Sequence, residues 1–295
     1  MASTQEIRRR IKSVKNTRQI TKAMEMVAAS KMKRAQESTL QSRAYSQEAL
    51  NLLKNLAGCT KGEVIHPLLE ERDTKKILAI VISSDKGMCG GYNSQIVRVA
   101  HVFAKENEDR EIDWITIGKR GERAVKKLKG NIVATFNNFP THPESQDIAP
   151  ISRISLDGFS QKSYGRVVII FTNFISTLKQ TAVTQVLLPM SLLRATELLE
   201  EEVKDEKNDY EYTYEPDREK VLDYVLPRLS ETQIFHSVLE AIASEQSARM
   251  MAMKSASDNA NDLIDDLTLT YNSMRQASIT QELAEVSAGS EAIQK

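Results

Sequence analysis

Apolar positions recur every seven residues along the C-terminal part of the chain. Leu239, Gln246, Met253, Ala260, Leu267, Met274 and Gln281 form one series. Ile242, Arg249, Ala256, Leu263, Thr270, Ala277 and Ala284 form a second, each three residues behind. Neither Gly nor Pro interrupts residues 228–288. A two-position heptad sustained this far predicts a long supercoiling helix. At ~1.5 Å per residue it would be about 90 Å long, too long to bury itself in one globular core. It requires a partner of similar length, and residues 1–57, also free of Gly and Pro, supply one. There Ile7, Ile11, Val14, Thr21, Ala28, Met32 and Ala35 share one helical face, with Ile20, Met24 and Val27 beside it. The two ends predict an antiparallel coiled coil. Polar and small residues interrupt its seam throughout, where a stable isolated coiled coil prefers Leu and Ile at most positions. Such a seam is tuned for something besides stability, as in a slim rod sheathed by other proteins.

Between the helices the period changes. Gly58, Gly62 and Pro67 mark a connector. Lys75–Ser83 is a short β-branched run, predicted as a buried strand. A glycine-rich loop, Ser84–Asn93, leads to a helix over Gln95–Lys105. Further strands are predicted at Ile112–Ile117, Asn131–Phe136, Arg166–Phe171 and Thr181–Leu188, and helices at Gly118–Lys129 and Asp147–Gln161. This alternation predicts a mainly parallel sheet with helices on its faces. An acidic run from Glu197 to Glu206 reads as a loop, and Asp209–Tyr214 as an edge strand. Pro216 can open the last helical region, with Pro227 a kink or break inside it. The fold class is α/β: a long antiparallel coiled coil of the terminal helices with an inserted Rossmann-like α/β domain. The expected division is residues 1–57, 58–215 and 216–295.

Composition adds little until charge is mapped. The chain has 40 basic and 40 acidic residues, so its net charge is zero and it is no general polyanion binder. The charges are segregated, however. Arg8, Arg9, Arg10, Lys12, Lys15, Arg18, Lys22, Lys31, Lys33 and Arg34 crowd the first helix, while Asp258, Asp262, Asp265, Asp266, Glu282 and Glu285 make the last one acidic. Opposite charges on the two helices favour their pairing. Aromatics are scarce, with one Trp, so much of the chain lies outside a thick core. Cys59 and Cys89 fit no disulfide framework and suit a reducing compartment. No apolar run reaches membrane-spanning length. The basic N-terminus continues into the long helix instead of ending as a transit segment.

The motifs give no catalytic constellation. The glycine loop follows the first strand, where α/β folds bind phosphates, yet no Gly-Lys-Ser/Thr follows and Gly87, Gly90 and Gly91 miss the dinucleotide spacing. A tight turn requiring positive φ, or a projecting contact loop, accounts for it. Ser83–Lys86 and Ser257–Asn259 mimic fragments of a serine acyl-enzyme pattern without its Lys-Thr-Gly element. His66, His101, His142 and His236 lack ligand spacing with each other and with the cysteines. The four aspartates between residues 258 and 266 read as a solvated helix face. No cofactor or metal is expected.

Three segments carry a specific resemblance. They are IKSVKNTRQITKAMEMVA at Ile11–Ala28, SDKGMCGGYN at Ser84–Asn93, and the stretch ASEQSARMMAMKSASDNANDLIDDLTLTYNSMRQASITQELAE at Ala243–Glu285. In order and over essentially the whole chain, they resemble the gamma subunit family of F-type ATP synthases, the central rotor stalk. The resemblance implies a noncatalytic shaft. Its tip would enter the ring of alpha and beta subunits, and its foot would contact the epsilon subunit and the membrane ring of c subunits. It implies head contacts at Met24, Cys89, Arg275, Gln276, Thr280 and Glu282, and foot contacts at Tyr212 and Tyr214. Lys86 and Met88 stand where Arg and Leu are common, and Val286, Ser287 and Ala288 replace a more apolar run. The thiol-bearing insertion of plastid forms is missing, so redox control by Cys59 or Cys89 is not expected. A bacterial source and the cytoplasmic face of the cell membrane are expected. The rival reading is an adaptor that uses the basic helix to bind nucleic acid or a membrane surface, with affinity falling steeply as salt rises.

Overall fold

The computed structural model describes residues 4–58, 66–72, 74–190 and 218–293. They form two compact units: Met1–Ala28 with Arg249–Lys295, and Ala29–Ala248. Two helices, α1 (Thr4–Gly58) and α5 (Arg218–Ile293), contribute to both.

The coiled-coil unit has a regular seam. On α1 the covered positions Thr4, Ile7, Ile11, Val14, Arg18, Thr21, Glu25 and Ala28 alternate steps of three and four, with Met24 half-buried beside them. These include every apolar seam position expected there. On α5 they are Met253, Ser257, Ala260, Ile264, Leu267, Tyr271 and Met274. The first expected series is therefore on the seam down to Met274, whereas Gln281 is exposed. From Leu263 onward the second series is displaced by one residue, Leu263 being 47% exposed and Ile264 only 8%, whereas Ala256 is half-buried beside Ser257. An alternating four–three step follows a 3.5-residue period as well as a three–four step does, and the partner helix decides between them. Arg18 donates to Asn261 across the pair at 2.9 Å. The ion pairs Arg10–Glu6, Lys22–Glu25 and Lys33–Glu37 run along α1 itself. Asp258, Asp262, Asp265 and Asp266 of α5 are exposed.

The other unit is a three-layer sandwich. Its sheet has the order β3-β2-β1-β4-β5. β1 (Lys76–Ile82), β2 (Glu111–Ile117), β3 (Asn131–Phe136) and β4 (Arg166–Phe174) are parallel, and β5 (Gln180–Leu188) returns antiparallel. β1 is central and covered on both faces, so its apolar run does not alternate. Leu78, Ile80 and Ile82 face a core shared with Ile148, Ile151 and Phe159 of α4 (Ser145–Ser160) and Leu226 and Val238 of α5. Ile77, Ala79 and Val81 face Tyr92, Ile96 and Phe103 of α2 (Tyr92–Glu106) and Val125 of α3 (Lys119–Lys127). Edge strand β3 alternates between exposed and half-buried positions.

Each expected strand and helix between residues 75 and 188 is present. β4 runs three residues beyond its expected end because Thr172, Asn173 and Phe174 continue the ladder against β5. The helix α4 starts at Ser145, ahead of Asp147, because the Asp147 carboxylate accepts the Glu144 N–H at 2.8 Å and caps that earlier start. The acidic run, the expected strand Asp209–Tyr214, Cys59 and Pro216 lie outside the described residues.

Pro227 lies inside α5, which continues through it without breaking. The helix begins nine residues earlier, so the missing N–H is not one of the free first-turn donors. Pro227→Ala is expected to stabilise the chain by about 1–2 kcal/mol, after allowing for the greater freedom of the unfolded alanine chain. The denaturant midpoint reads this, and an unchanged midpoint would show the ring to be accommodated without loss.

Candidate contact surfaces

The tip of α5 is the first surface. From Arg275 to Gly289 every position is exposed. The register explains where this starts. In the antiparallel pair Arg18 meets Asn261. Fourteen residues before Arg18 is Thr4, and fourteen beyond Asn261 is Arg275. The seam ends at Met274, and Arg275, Gln276, Thr280 and Glu282 follow on exposed helix. Thr280 turns its hydroxyl back to the Gln276 carbonyl at 2.9 Å, leaving the amide of Gln276 and the charges of Arg275 and Glu282 outward. Ile279, Leu283 and Val286 lie among them at 48, 65 and 71% exposure. Sequence reasoning missed these three. Their signal was available: large apolar residues off both heptad series, past the last seam residue.

Helix α1 carries the second surface. Met24 is half-buried against the seam, while Ile20 and Val27 are exposed at 61 and 55%. Spaced at three and four residues, they make a short apolar stripe beside the seam.

The third is the loop between β1 and α2. Its interior is filled by its own side chains. The Ser84 hydroxyl donates to the Lys86 carbonyl at 2.6 Å, and Asn93 Nδ2 donates to Ser84 Oγ at 2.8 Å and lies 3.0 Å from Cys89 Sγ. The Asp85 carboxylate accepts the Lys119 N–H at 3.2 Å. Cys89 is only 2% exposed, so its thiol is spent on packing, and the exposed apolar side chain of the loop is Met88. Met88 also takes the left-handed conformation, at φ 61°. Of the three loop glycines, Gly90 alone has positive φ, at 55°. Tying Ser84 and Cys89 to Asn93 holds the loop so that Met88 projects.

The residues that mimicked catalytic motifs are occupied by the fold. Ser83 Oγ donates to the Ile117 carbonyl at 3.0 Å and accepts the Gly121 N–H at 2.7 Å. Ser257 lies on the coiled-coil seam. His66 accepts the Leu68 N–H at Nδ1 and donates from Nε2 to Asp223 at 3.0 Å, tying the start of the described connector to α5. Among the described residues no cluster of His, Cys, Asp or Glu is placed to hold a metal ion, and no helix is long and apolar enough to cross a membrane. Tyr212 and Tyr214 lie outside the described residues.

A paired-helix seam that ends short of a polar, apolar-studded tip, in a chain that also folds an α/β unit, defines a coiled-coil subunit built to engage other proteins. Residues 3–293 match the ATP synthase family model. The ATP synthase gamma chain of Trichlorobacter lovleyi is 41% identical over 295 residues, covering 99% of each chain. That of Nitrosospira multiformis is 42% identical over 298 residues, covering 99% of this chain and all of the other. A chain of the Euglena gracilis mitochondrial ATP synthase, solved with OSCP, F1 and c-ring, shares the fold. Its TM-score is 0.67 at 20% identity, over 98% of this chain and 94% of that one. The chain belongs to the ATP synthase gamma chain family, the noncatalytic rotor subunits of the central stalk.

Proposed function

We propose that this chain is the shaft that turns within a head of alpha and beta subunits. It carries rotation from a membrane ring of c subunits to the catalytic beta sites, for ATP synthesis or, in reverse, hydrolysis. The observation that carries this is the end of the seam at Met274, beyond which fifteen consecutive exposed residues leave a single helix to be enclosed by partners. Arg275, Gln276, Thr280 and Glu282 make the head contacts at the tip, and Met24 makes them on α1. At the glycine loop Cys89 acts from beneath by holding Met88 outward. Tyr212 and Tyr214 make the foot contact with the epsilon subunit and the c ring. In this role residues 1–57 and 216–295 act as the shaft and 58–215 as the foot. The chain works at the cytoplasmic face of a bacterial cell membrane, attached through the c ring. The sparse seam suits this task, because a shaft turning inside a sleeve gains from a slim, weakly adhesive surface.

The test is purification of the tagged chain from gently solubilised membranes, followed by identification and counting of what accompanies it. Alpha and beta subunits in excess over this chain, with ATPase activity, are expected; nucleic acid released by salt would overturn the reading. The tip assignment has its own check. Arg275→Glu should weaken coupled ATP hydrolysis in the complex about tenfold, as expected when a charged contact is reversed. Because the side chain is exposed, the chain's own stability should stay within about 0.5 kcal/mol. Unchanged coupling would remove Arg275 from the contact set.

A further inference from the structure

Helix α5 is held within the α/β unit in two ways. Leu222, Leu226, Leu229 and Val238 hold it through apolar packing. Such packing is non-directional: it opposes separation but gives little resistance to a small rotation or slide. Directional contacts come from the His66 ring, which bonds Asp223 near the start of the helix, and further along from serines. Ser230, Ser237 and Ser244 recur every seven residues on the buried side. A serine inside a helix ordinarily returns its hydroxyl to a carbonyl one turn back. Ser230 and Ser237 do so, bonding the Leu226 and Gln233 carbonyls at 3.0 and 2.9 Å. Ser244 does not. Its hydroxyl leaves the helix and donates to the Thr172 carbonyl in β4 at 3.1 Å. One turn further, Ser247 donates to the Thr177 carbonyl in the β4–β5 hairpin at 2.8 Å and accepts from the Gln180 amide at 3.3 Å. Both outward acceptors are backbone atoms, which cannot yield by changing rotamer. Both serines are fully buried, so water cannot replace the bonds. They are also nearly the last residues of α5 in this unit, which ends at Ala248.

We propose that Ser244 and Ser247, with Gln180, are the torque clamp of the shaft: positioning residues that lock the rotation of α5 against the sheet just before the helix leaves the α/β unit. This rests on the rotor reading above. Torque applied to the foot reaches this end of the helix through these bonds, and without them the apolar contact there slips under load.

The test uses the complete ATP synthase in sealed vesicles, with the wild-type chain or the S244A/S247A double variant. ATP hydrolysis is measured without a gradient, and ATP synthesis over a series of imposed ion gradients. Hydrolysis by the variant should stay within about twofold, because little torque opposes it. Synthesis at the smallest gradient that supports the wild type should fall about tenfold, the scale of one buried hydrogen bond left unmade. A variant that follows the wild-type curve at every gradient overturns the clamp. So does one whose hydrolysis and synthesis fall in equal proportion at all gradients, which is the mark of a stability defect alone. Should the double variant fail to assemble, Gln180→Ala, which removes the amide's bond to Ser247 together with its bonds to the Ser176 and Thr177 carbonyls, is read by the same two criteria. The wild-type measurement comes first: no gradient-driven synthesis there defeats the rotor reading itself, independently of the clamp.

Discussion

Gly118→Val abolishes the cooperative folding of the α/β unit, while Gly91→Ala leaves it nearly unchanged. Gly118 follows β2 and precedes α3 at φ 89°, a conformation that costs a β-branched residue about 1–3 kcal/mol. The steric term is larger. A Cβ there would press on the Ser83 carbonyl, 2.8 Å from its carbon and 2.9 Å from Ser83 Oγ. Ser83 cannot retreat, because its hydroxyl is held between the Ile117 carbonyl and the Gly121 N–H. Gly118 itself donates to the Phe136 carbonyl at 2.9 Å, so moving it loosens β3 as well. Together these exceed about 4 kcal/mol, the range reached only when backbone strain and overpacking coincide. At Gly91 a Cβ would meet only the end of Gln95, at 3.8 Å. The readout is the fluorescence of Trp114, the single tryptophan, which is buried edge-on to Phe103. A native-like denaturant transition in the Gly118 variant would show that the β1–α2 loop can be rebuilt around a side chain.

The α/β unit was legible because its strands are short β-branched runs separated by helices, and a buried parallel strand has few other ways to be written. The coiled coil was legible in kind but not in register. On α1, Ile7, Ile11 and Val14 leave one apolar face, and it is the covered one. On α5, Ala256 beside Ser257 and Leu263 beside Ile264 offer two stripes of similar quality. The structure covers Ser257, Ile264 and Tyr271, a stripe that no hydrophobic count separates from the one through Ala256 and Leu263. The choice belongs to the pair of helices, not to either alone. At the tip, the polar residues proposed as contacts came from resemblance, whereas the exposure of Ile279, Leu283 and Val286 follows from the end of the seam. The burial of Cys89 and the outward turn of Ser244 and Ser247 are tertiary facts. They depend on Asn93 packing over the loop and on the β4–β5 hairpin reaching α5, and the local sequence specifies neither.

The same is true of a buried polar cluster in the α/β unit, which joins residues 51 apart in sequence and gives the second large effect. Asp113, at the start of β2, is buried and accepts from Asn131 at 2.7 Å, the Tyr164 hydroxyl at 2.9 Å and Lys76 at 3.0 Å. Burial pushes the Asp113 carboxyl upward, but the hydrogen bonds from Asn131, Lys76 and Tyr164 outweigh it and hold the group below the ordinary aspartate value. Burial, then the bond to Asp113 and its charge, pushes the Tyr164 phenol up to about 12. Asp113→Ala leaves a buried phenol, an amide and an ammonium without their acceptor. Lys76 is half-exposed and can turn to water, so the loss should be about 3 kcal/mol, the lower end for a broken buried pair. Tyr164→Phe removes one of three bonds and should lose about 1 kcal/mol. The pH dependence has a definite sign on each side. A lowered carboxyl pKa adds stability above the unfolded value, about 3.9, which is lost as pH falls through the folded value. A raised phenol pKa adds stability below about 10, which is lost as pH rises toward about 12. Wild-type stability should therefore hold level between these limits and fall at both ends. In the Asp113→Ala chain the acid fall should shrink, and the alkaline fall should shrink as well, because the folded phenol loses the bond and the charge that help to raise it. Denaturant midpoints across pH, followed by Trp114, measure both. An acid limb equally steep in the variant would place the stabilising proton linkage on other carboxylates.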